Sequence, residues 1–328
     1  MQNRILGKDL EVAAVGLGCM GFSHAYGVPT AENEAINAIR FAAENGYTFF
    51  DTAECYIGTN PDGSANINEK IVGKALKPFK DKVKIATKFG VFHHGKMLVC
   101  DSHPHHIRES VEGSLRRLGV ERIDLYYQHR IDEFVAPELV AETMADLIKE
   151  GKIAHWGISE ANEKYIRRAH KVCPVTAIQN RYSMMYREYE NLFPLLEELN
   201  IGFVAFSPLA NGLLTAKYNQ SSTFVEGDYR NDMPQFTTEA YNENKELLLL
   251  IHAFADRHNA TPAQISLAWM LCKKPYIVPI AGTRNIERMK ENLKASDIVL
   301  SEDEVAVIDN ALKNMKMSDV FGGHKTAR

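Results

Sequence analysis

Residues 83–129 open with VKIATK (Val83–Lys88), pass through SHPHHIRESVEGSLRRLG (Ser102–Gly119) and close on IDLYYQH (Ile123–His129). The two outer runs are short and rich in β-branched or aromatic residues. The middle one repeats apolar residues at Ile107, Val111, Leu115 and Leu118, the spacing of a helix that buries one face. Ser102 with Pro104 starts that helix and Gly119 ends it. Strand, amphipathic helix and strand make a βαβ unit, whose two strands lie parallel.

The unit repeats in both directions. Upstream, Ala13–Gly18 reads as a strand. Thr30 caps a helix carrying Ile36, Ile39 and Ala43, with Gly46 past its end. Thr48–Asp51 is the next strand and Asn68–Leu76 the next helix. Downstream, Leu139, Val140, Met144, Leu147 and Ile148 line a helix before Gly151. Strand Ile153–Ser159, helix Glu163–Lys171, strand Thr176–Gln179, helix Asn191–Leu199 and strand Gly202–Phe206 follow. After a long loop come helical stretches at about 239–257 and 262–273, strand Tyr276–Ile280, and helices Asn285–Leu293 and Ser301–Leu312. Eight strands, each followed by helix, predict an α/β fold, a (β/α)₈ TIM barrel with extra C-terminal helices. Periodicity does not show closure, so an open doubly wound sheet is the alternative. Arg4–Val12, around Gly7-Lys8-Asp9, reads as an N-terminal β-hairpin plugging the barrel floor. No linker or charge block divides the chain, which predicts one barrel domain over residues 1–328 with a loosely held tail after about 315.

Composition narrows the function. The chain has 328 residues, 45% hydrophobic and 24% charged, with 38 basic against 42 acidic side chains. That balance gives no electrostatic case for nucleic acid or an anionic membrane as partner. The longest apolar stretch, Leu247–Ala255, is interrupted by His252 and is too short to span a bilayer. No charged n-region with an apolar h-region opens the chain, so no signal peptide is expected. Five scattered cysteines without a CxxC pair predict a reducing compartment and a cytoplasmic enzyme.

Gly16-Leu17-Gly18-Cys19-Met20-Gly21 matches G-x-G-x-x-G after a strand, but the helix that should hold the third glycine begins only near Thr30. The acidic residue ending the next strand, Asp51, also lies further on than the roughly 20 residues a dinucleotide fold uses. The glycines are read instead as a tight turn beneath a ligand.

In a barrel, chemistry gathers at the C-terminal ends of the strands. Those positions hold Asp51 with Tyr56 five residues on, Lys88, His129, Ser159-Glu160, Gln179, Phe206-Ser207 and Gly282-Thr283-Arg284. A phenol is protonated at neutral pH and can serve as general acid. Lys88 beside it is expected to lower the Tyr56 pKa, Asp51 to keep Lys88 charged, and His129 to donate a hydrogen bond to a substrate carbonyl.

Asp51-Thr52-Ala53-Glu54-Cys55-Tyr56, Asn68-Glu69, Ala86-Thr87-Lys88-Phe89-Gly90 and Ile123–Gln128 followed by His129 together resemble the aldo-keto reductase superfamily. The resemblance runs on through Gly151-Lys152-Ile153, Ser207-Pro208-Leu209 and Gly282-Thr283-Arg284 with Glu291-Asn292, and Cys19-Met20-Gly21 and Ser159-Glu160-Ala161 resemble a bacterial branch. It implies a barrel that binds NADPH in extended form and reduces an aldehyde or ketone. Asp51, Tyr56, Lys88 and His129 would be the catalytic tetrad. Ser159 and Gln179 would hold the carboxamide, Phe206 would stack on the nicotinamide, and Met20 and Glu160 join the coenzyme set, the role of Glu160 left open. Ser207, Pro208, Leu209, Ala210, Asn211, Lys217 and Arg230 would line the pyrophosphate. Gly282, Thr283, Arg284, Arg288, Glu291 and Asn292 would surround the adenosine end, with Arg284 and Arg288 suited to a 2′-phosphate. Two departures stand out: Glu160 replaces an asparagine, and Phe206 a tyrosine or tryptophan.

A metal reading of His93, His94, His103, His105 and His106 finds no Asp or Cys at ligand spacing. Cys55 is read as an inert thiol, and Met184-Met185 and Trp156 as packing. Met20, Phe22, Tyr26 and Phe92 are candidates for the pocket mouth. The competing class is an NADP(H)-sensing module with little turnover, which a complete tetrad disfavours. A small carbonyl substrate is the expected partner, no metal is expected, and a homo-oligomer is compatible with the composition.

Overall fold

Short β-branched runs buried on both sides can be satisfied only by a sheet covered all round, and the chain builds one. The computed structural model describes residues 2–94 and 97–320. Its central sheet has eight strands in chain order: Leu17–Gly18, Phe49–Asp51, Lys84–Phe89, Ile123–Gln128, Ile153–Ser159, Ala177–Arg181, Gly202–Phe206 and Ile277–Pro279. Each pairs in parallel with the next. Gly16 forms a further parallel bridge with Ile280, its N–H donating to the Pro279 carbonyl at 2.9 Å. First strand therefore meets eighth, and the curled sheet closes as a (β/α)₈ barrel rather than staying open.

The predicted hairpin is present, with Asn3–Leu6 antiparallel to Leu10–Ala13. Leu6, Leu10 and Val12 pack with Phe49, Ala86, Leu125, Tyr127, Ala177, Val204 and Val278 in one interior cluster, so the hairpin closes the floor. A larger cluster lies between the strands and the surrounding helices.

Several local expectations give way to tertiary contacts. The first strand is two residues long, because Leu10–Ala13 is taken by the hairpin. Thr30 does not cap the first helix, which runs Glu32–Glu44 behind Ala31; the Thr30 N–H donates to the Phe22 carbonyl at 2.8 Å. Nor does Ser102 cap Pro104–Leu118. Its hydroxyl accepts from Gln128 Nε2 at 3.0 Å, a buried pairing, and His103 takes the cap position. The stretch expected at 239–257 divides at Asn244 into Thr238–Glu243 and Lys245–Arg257. Two unforeseen hairpins fill loops, Ile57–Thr59 with Ala65–Ile67 and Val91–His94 with Met97–Cys100. Up to the last described residue, Met315, Met317 and Val320 pack on the core, and Ser318 Oγ accepts from Asn244 Nδ2 at 2.8 Å. Residues 321–328 and the side chains of His93 and His94 lie outside the described residues.

Closure leaves no room at Gly157, which is registered between Tyr127 and Ala177. A Cβ there would stand 2.4 Å from the Ala177 carbonyl oxygen and 2.5 Å from the Tyr127 ring. Gly157→Ala is expected to lower unfolding free energy by about 1–3 kcal/mol or more, because the nearest atom is backbone. Urea unfolding followed by circular dichroism measures it.

Candidate active site

Side chains two apart on a strand face the same way, so the interior layers can be counted upward. Phe49, Ala86, Leu125, Tyr127, Ala177 and Val204 fill the barrel. Two residues on from Phe49, Ala86, Tyr127, Ala177 and Val204 stand Asp51, Lys88, His129, Gln179 and Phe206. The apolar layers end where the ionisable one begins, and the same period two that builds the core aims these side chains into the mouth.

Lys88, fully buried, is the centre. Its Nζ donates to Asp51 Oδ1 at 2.5 Å, to the Thr52 carbonyl at 2.7 Å and to the Tyr56 hydroxyl at 3.3 Å. Gln179 Nε2 donates to the other Asp51 oxygen at 2.7 Å. The Tyr56 and His129 rings meet edge-on with centroids 5.8 Å apart, and His129 Nδ1 lies 3.5 Å from Cys55 Sγ. Asn68, the first residue of its helix, ties the surrounding loops together: Nδ2 donates to the Cys19 carbonyl and Ser23 Oγ, while Oδ1 accepts from Thr52. The tetrad named from sequence is thus gathered at one point.

Burial governs its electrostatics. For Lys88 burial favours the neutral amine, but Asp51 and Tyr56 more than offset it and hold the pKa above the ordinary lysine value. Burial also pushes Asp51 up, against the pull of Lys88 and Gln179. We place the proton on Lys88, because only an ammonium has three hydrogens for three acceptors. Lys88 pulls the Tyr56 pKa down as expected, but burial outweighs it and the phenol is pushed up to about 12 rather than below its ordinary value. His129 is driven well below the usual histidine range by burial, with Arg130 and Lys88 adding to it, and is neutral. Burial raises the Cys55 thiol to about 12, so it is protonated at neutral pH.

The residues expected around a coenzyme lie along the same rim. Ser159 is buried at the end of strand five, and Phe206 is half-buried at the end of strand seven. Beyond it, Ser207, Ala210, Asn211 and Gly212 all have positive φ, at 50°, 46°, 57° and 108°. The Ala210 and Gly212 N–H groups donate to the Ser207 and Leu209 carbonyls at 3.0 and 2.9 Å, which folds the segment into a tight turn. Pro208 and Leu209 complete that turn, and Met20 opens the short helical turn Met20–Phe22 after strand one. Lys217 Nζ meets Glu291 at 2.9 Å, joining two predicted residues 74 apart. Asn292 is buried on helix Ile286–Leu293, and Arg288 sits in that helix's first turn. Thr283 Oγ1 accepts from the Asn285 N–H, and Gly282 passes the Gly18 carbonyl so closely that a Cβ would come within 3.0 Å.

Two arginines are partly committed elsewhere. Arg284 donates to the Gly21 carbonyl and, at 3.1 Å, to that of Val28; its Nη2 is buried without a partner among the described residues. Arg230 is held within its own loop by Asp228, 2.6 Å at the closer contact, and by the Tyr218 hydroxyl at 2.6 Å, with the Phe224 ring 4.2 Å away.

Sequence reasoning passed over Arg130, although it directly follows His129. Its Nη1 donates to the His129 carbonyl at 2.7 Å and to Ser159 Oγ at 3.2 Å. It also missed Asn180, whose Oδ1 accepts the Glu160 N–H at 2.8 Å while Nδ2 stays buried and unpartnered among the described residues. The histidine-rich stretch does gain carboxylate neighbours through folding: Asp101, His103 and Asp132 bring donor atoms within 4.8 Å of one another. Asp132 is already used by the N–H groups of Ser102 and Phe134. A groove between the loops after strands four, five and six borders Glu160, Tyr165 and Tyr189 but includes none of the tetrad.

The model of the Aldo/keto reductase family matches residues 14–313. The chain is 40% identical over 319 residues to a Glycine max protein named "Probable aldo-keto reductase 1", covering 96% of this chain and 89% of that one. In structure it is similar to the glycerol dehydrogenase of Gluconobacter oxydans, at 26% identity and TM-score 0.84 over 98% of both chains. The fold also matches an aldo-keto reductase from Klebsiella pneumoniae in complex with NADPH, at 24% identity and TM-score 0.72 over 95% and 96% of the two chains. The chain belongs to the aldo/keto reductase family, and with it to the oxidoreductases that act on small carbonyl compounds. None of its described helices is long and apolar enough to cross a membrane.

Deleting the Asp51 carboxylate would leave a buried ammonium without its counter-ion. Asp51→Ala is expected to cost about 3–5 kcal/mol of stability at neutral pH, read from the shift of the urea midpoint.

Proposed function

We propose that this protein reduces a small aldehyde or ketone to the alcohol with NADPH, with Tyr56 as general acid. The observation that carries this reading is the fully buried Lys88 ammonium, donating at once to Asp51, the Thr52 carbonyl and the Tyr56 hydroxyl below His129. The coenzyme, when bound, supplies the hydride to the carbonyl carbon. The chain's own residues do the rest.

Tyr56 gives its proton to the carbonyl oxygen as negative charge develops there. An alkoxide is a far stronger base than a phenolate of pKa about 12, so that transfer runs downhill once the carbon is reduced. Lys88 then faces the phenolate and stabilises it. His129 is neutral, and the Cys55 thiol at 3.5 Å can donate to its Nδ1, which leaves the ring proton on Nε2 to point the carbonyl oxygen. Gln179 commits one amide hydrogen to Asp51 and offers its oxygen to a carboxamide N–H; Ser159 supplies a hydroxyl beside it.

The residues present fit a dinucleotide. The tight turn at Ser207–Gly212, with positive φ at Ser207, Ala210, Asn211 and Gly212, would line the pyrophosphate, and Arg284 Nη2 and Asn180 Nδ2 are buried donors without a partner among the described residues. Arg284 with Arg288 favours a coenzyme carrying a 2′-phosphate. The same fold holds NADPH in the Klebsiella neighbour.

Loss of NADPH absorbance against an aldehyde panel, with NADH in parallel, tests the reaction. Tyr56→Phe is expected to lower kcat by at least about 10²-fold while NADPH affinity stays within about twofold. Undiminished turnover in that variant would remove Tyr56 as the acid. Because the acid form of Tyr56 exists below its raised pKa and His129 is already neutral, kcat for reduction should be flat between about pH 6 and 9. A fall in kcat within that range, in a pH–rate series, would contradict these protonation states.

A further inference from the structure

Glu160 is held in an unfavourable backbone conformation, with φ at 54°. A residue with a Cβ persists there only when its surroundings insist. Its N–H is pinned by Asn180 Oδ1 at 2.8 Å and by the Gln179 carbonyl at 3.3 Å. Its carboxylate lies between two guanidinium groups: Oε2 is 3.6 Å from Arg130 Nε and Oε1 is 4.0 Å from Arg181 Nη2. Both guanidinium groups flank one ring. The Arg130 and Arg181 Cζ atoms are 5.9 Å and 5.8 Å from the Phe206 centroid. Arg130 cannot swing away freely, being tied to the His129 carbonyl and Ser159 Oγ. All three charged side chains are largely shielded, with exposures of 29%, 15% and 21% for Arg130, Arg181 and Glu160, so solvent screens their fields only in part.

We propose that Glu160 offsets part of the charge of Arg130 and Arg181, one carboxylate against two guanidinium groups, so that the site tolerates an oxidised, cationic nicotinamide as well as a reduced, neutral one. This rests on the proposed use of NADPH, with the nicotinamide on Phe206 as the family resemblance implies. The nicotinamide ring is neutral in NADPH and carries one positive charge in NADP⁺. Seated on Phe206, it lies within the field of the two guanidinium groups. Without the carboxylate they oppose the oxidised ring and leave the reduced one nearly untouched. The charge balance, rather than a hydrogen bond to the carboxamide, is then the reason for a glutamate where an asparagine was expected.

The test is the dissociation constant of each coenzyme form, measured by protein fluorescence quenching without any carbonyl substrate. In Glu160→Gln, Kd for NADP⁺ is expected to rise by roughly tenfold relative to Kd for NADPH, the order set by one unit charge at this range and partial screening. Glu160→Asp should keep the ratio within about twofold of wild type. Arg130→Met should move the ratio the other way, which distinguishes charge from general damage to the fold. Equal weakening of both forms in Glu160→Gln, or the same sign in Arg130→Met, would overturn the proposal. If the wild-type protein binds neither nucleotide, the coenzyme reading itself fails, and the charge-balance proposal falls with it.

Discussion

A lysine ammonium sealed inside a barrel must find an acceptor for every hydrogen, and much of the mouth follows from how Lys88 does so. One partner is a carboxylate, one a main-chain carbonyl and one a phenol. The carboxylate is itself held by Gln179 from the sixth strand, and the Thr52 side chain by Asn68 at a helix start. Removing water makes each of these contacts stronger and each unpaired group more costly. The strands, the first loops and the helix after the second strand are therefore tied together through a single charge.

The walls above this centre lean on one another as well as on the core. Tyr26, in the loop after strand one, bridges to Asp228 in the long loop after strand seven, and Asn211 Nδ2 donates to the Tyr26 hydroxyl at 3.1 Å. Arg284, after strand eight, reaches back to the carbonyls of Gly21 and Val28. Arg230 is consumed in this scaffolding, packed against Tyr218 and Phe224 and paired with Asp228. Lys217 and Glu291 join the long loop to the adenosine-side helix in the same manner.

Much of this was legible in advance. The alternation of buried strands with one-sided helices predicted the barrel, and the hairpin was marked by Gly7-Lys8-Asp9 between apolar runs. Asp51, Lys88, His129, Gln179 and Phe206 could be found because each ends a strand on its inward side. Local capping rules failed at Thr30 and Ser102, where a more buried partner won the competition for the polar groups. Arg130 was overlooked because nothing in its neighbours announces that Phe206, Ser159 and Glu160 will close around it.

Strand period, helix spacing and strand-end chemistry are properties of adjacent residues, so the amino-acid sequence by itself determined the order of strands and helices and which ionisable residues stand at the strand ends. Closure of the sheet came from the pairing of Gly16 with Ile280. Protonation and charge balance depend on which groups are drawn together and how much water is excluded. Only the tertiary structure decided that burial outweighs Lys88 at Tyr56, that His129 is neutral beside the Cys55 thiol, and that Glu160 stands between two arginines. Those outcomes turn on distances of a few ångströms between residues far apart in the chain, and a linear pattern carries no record of them.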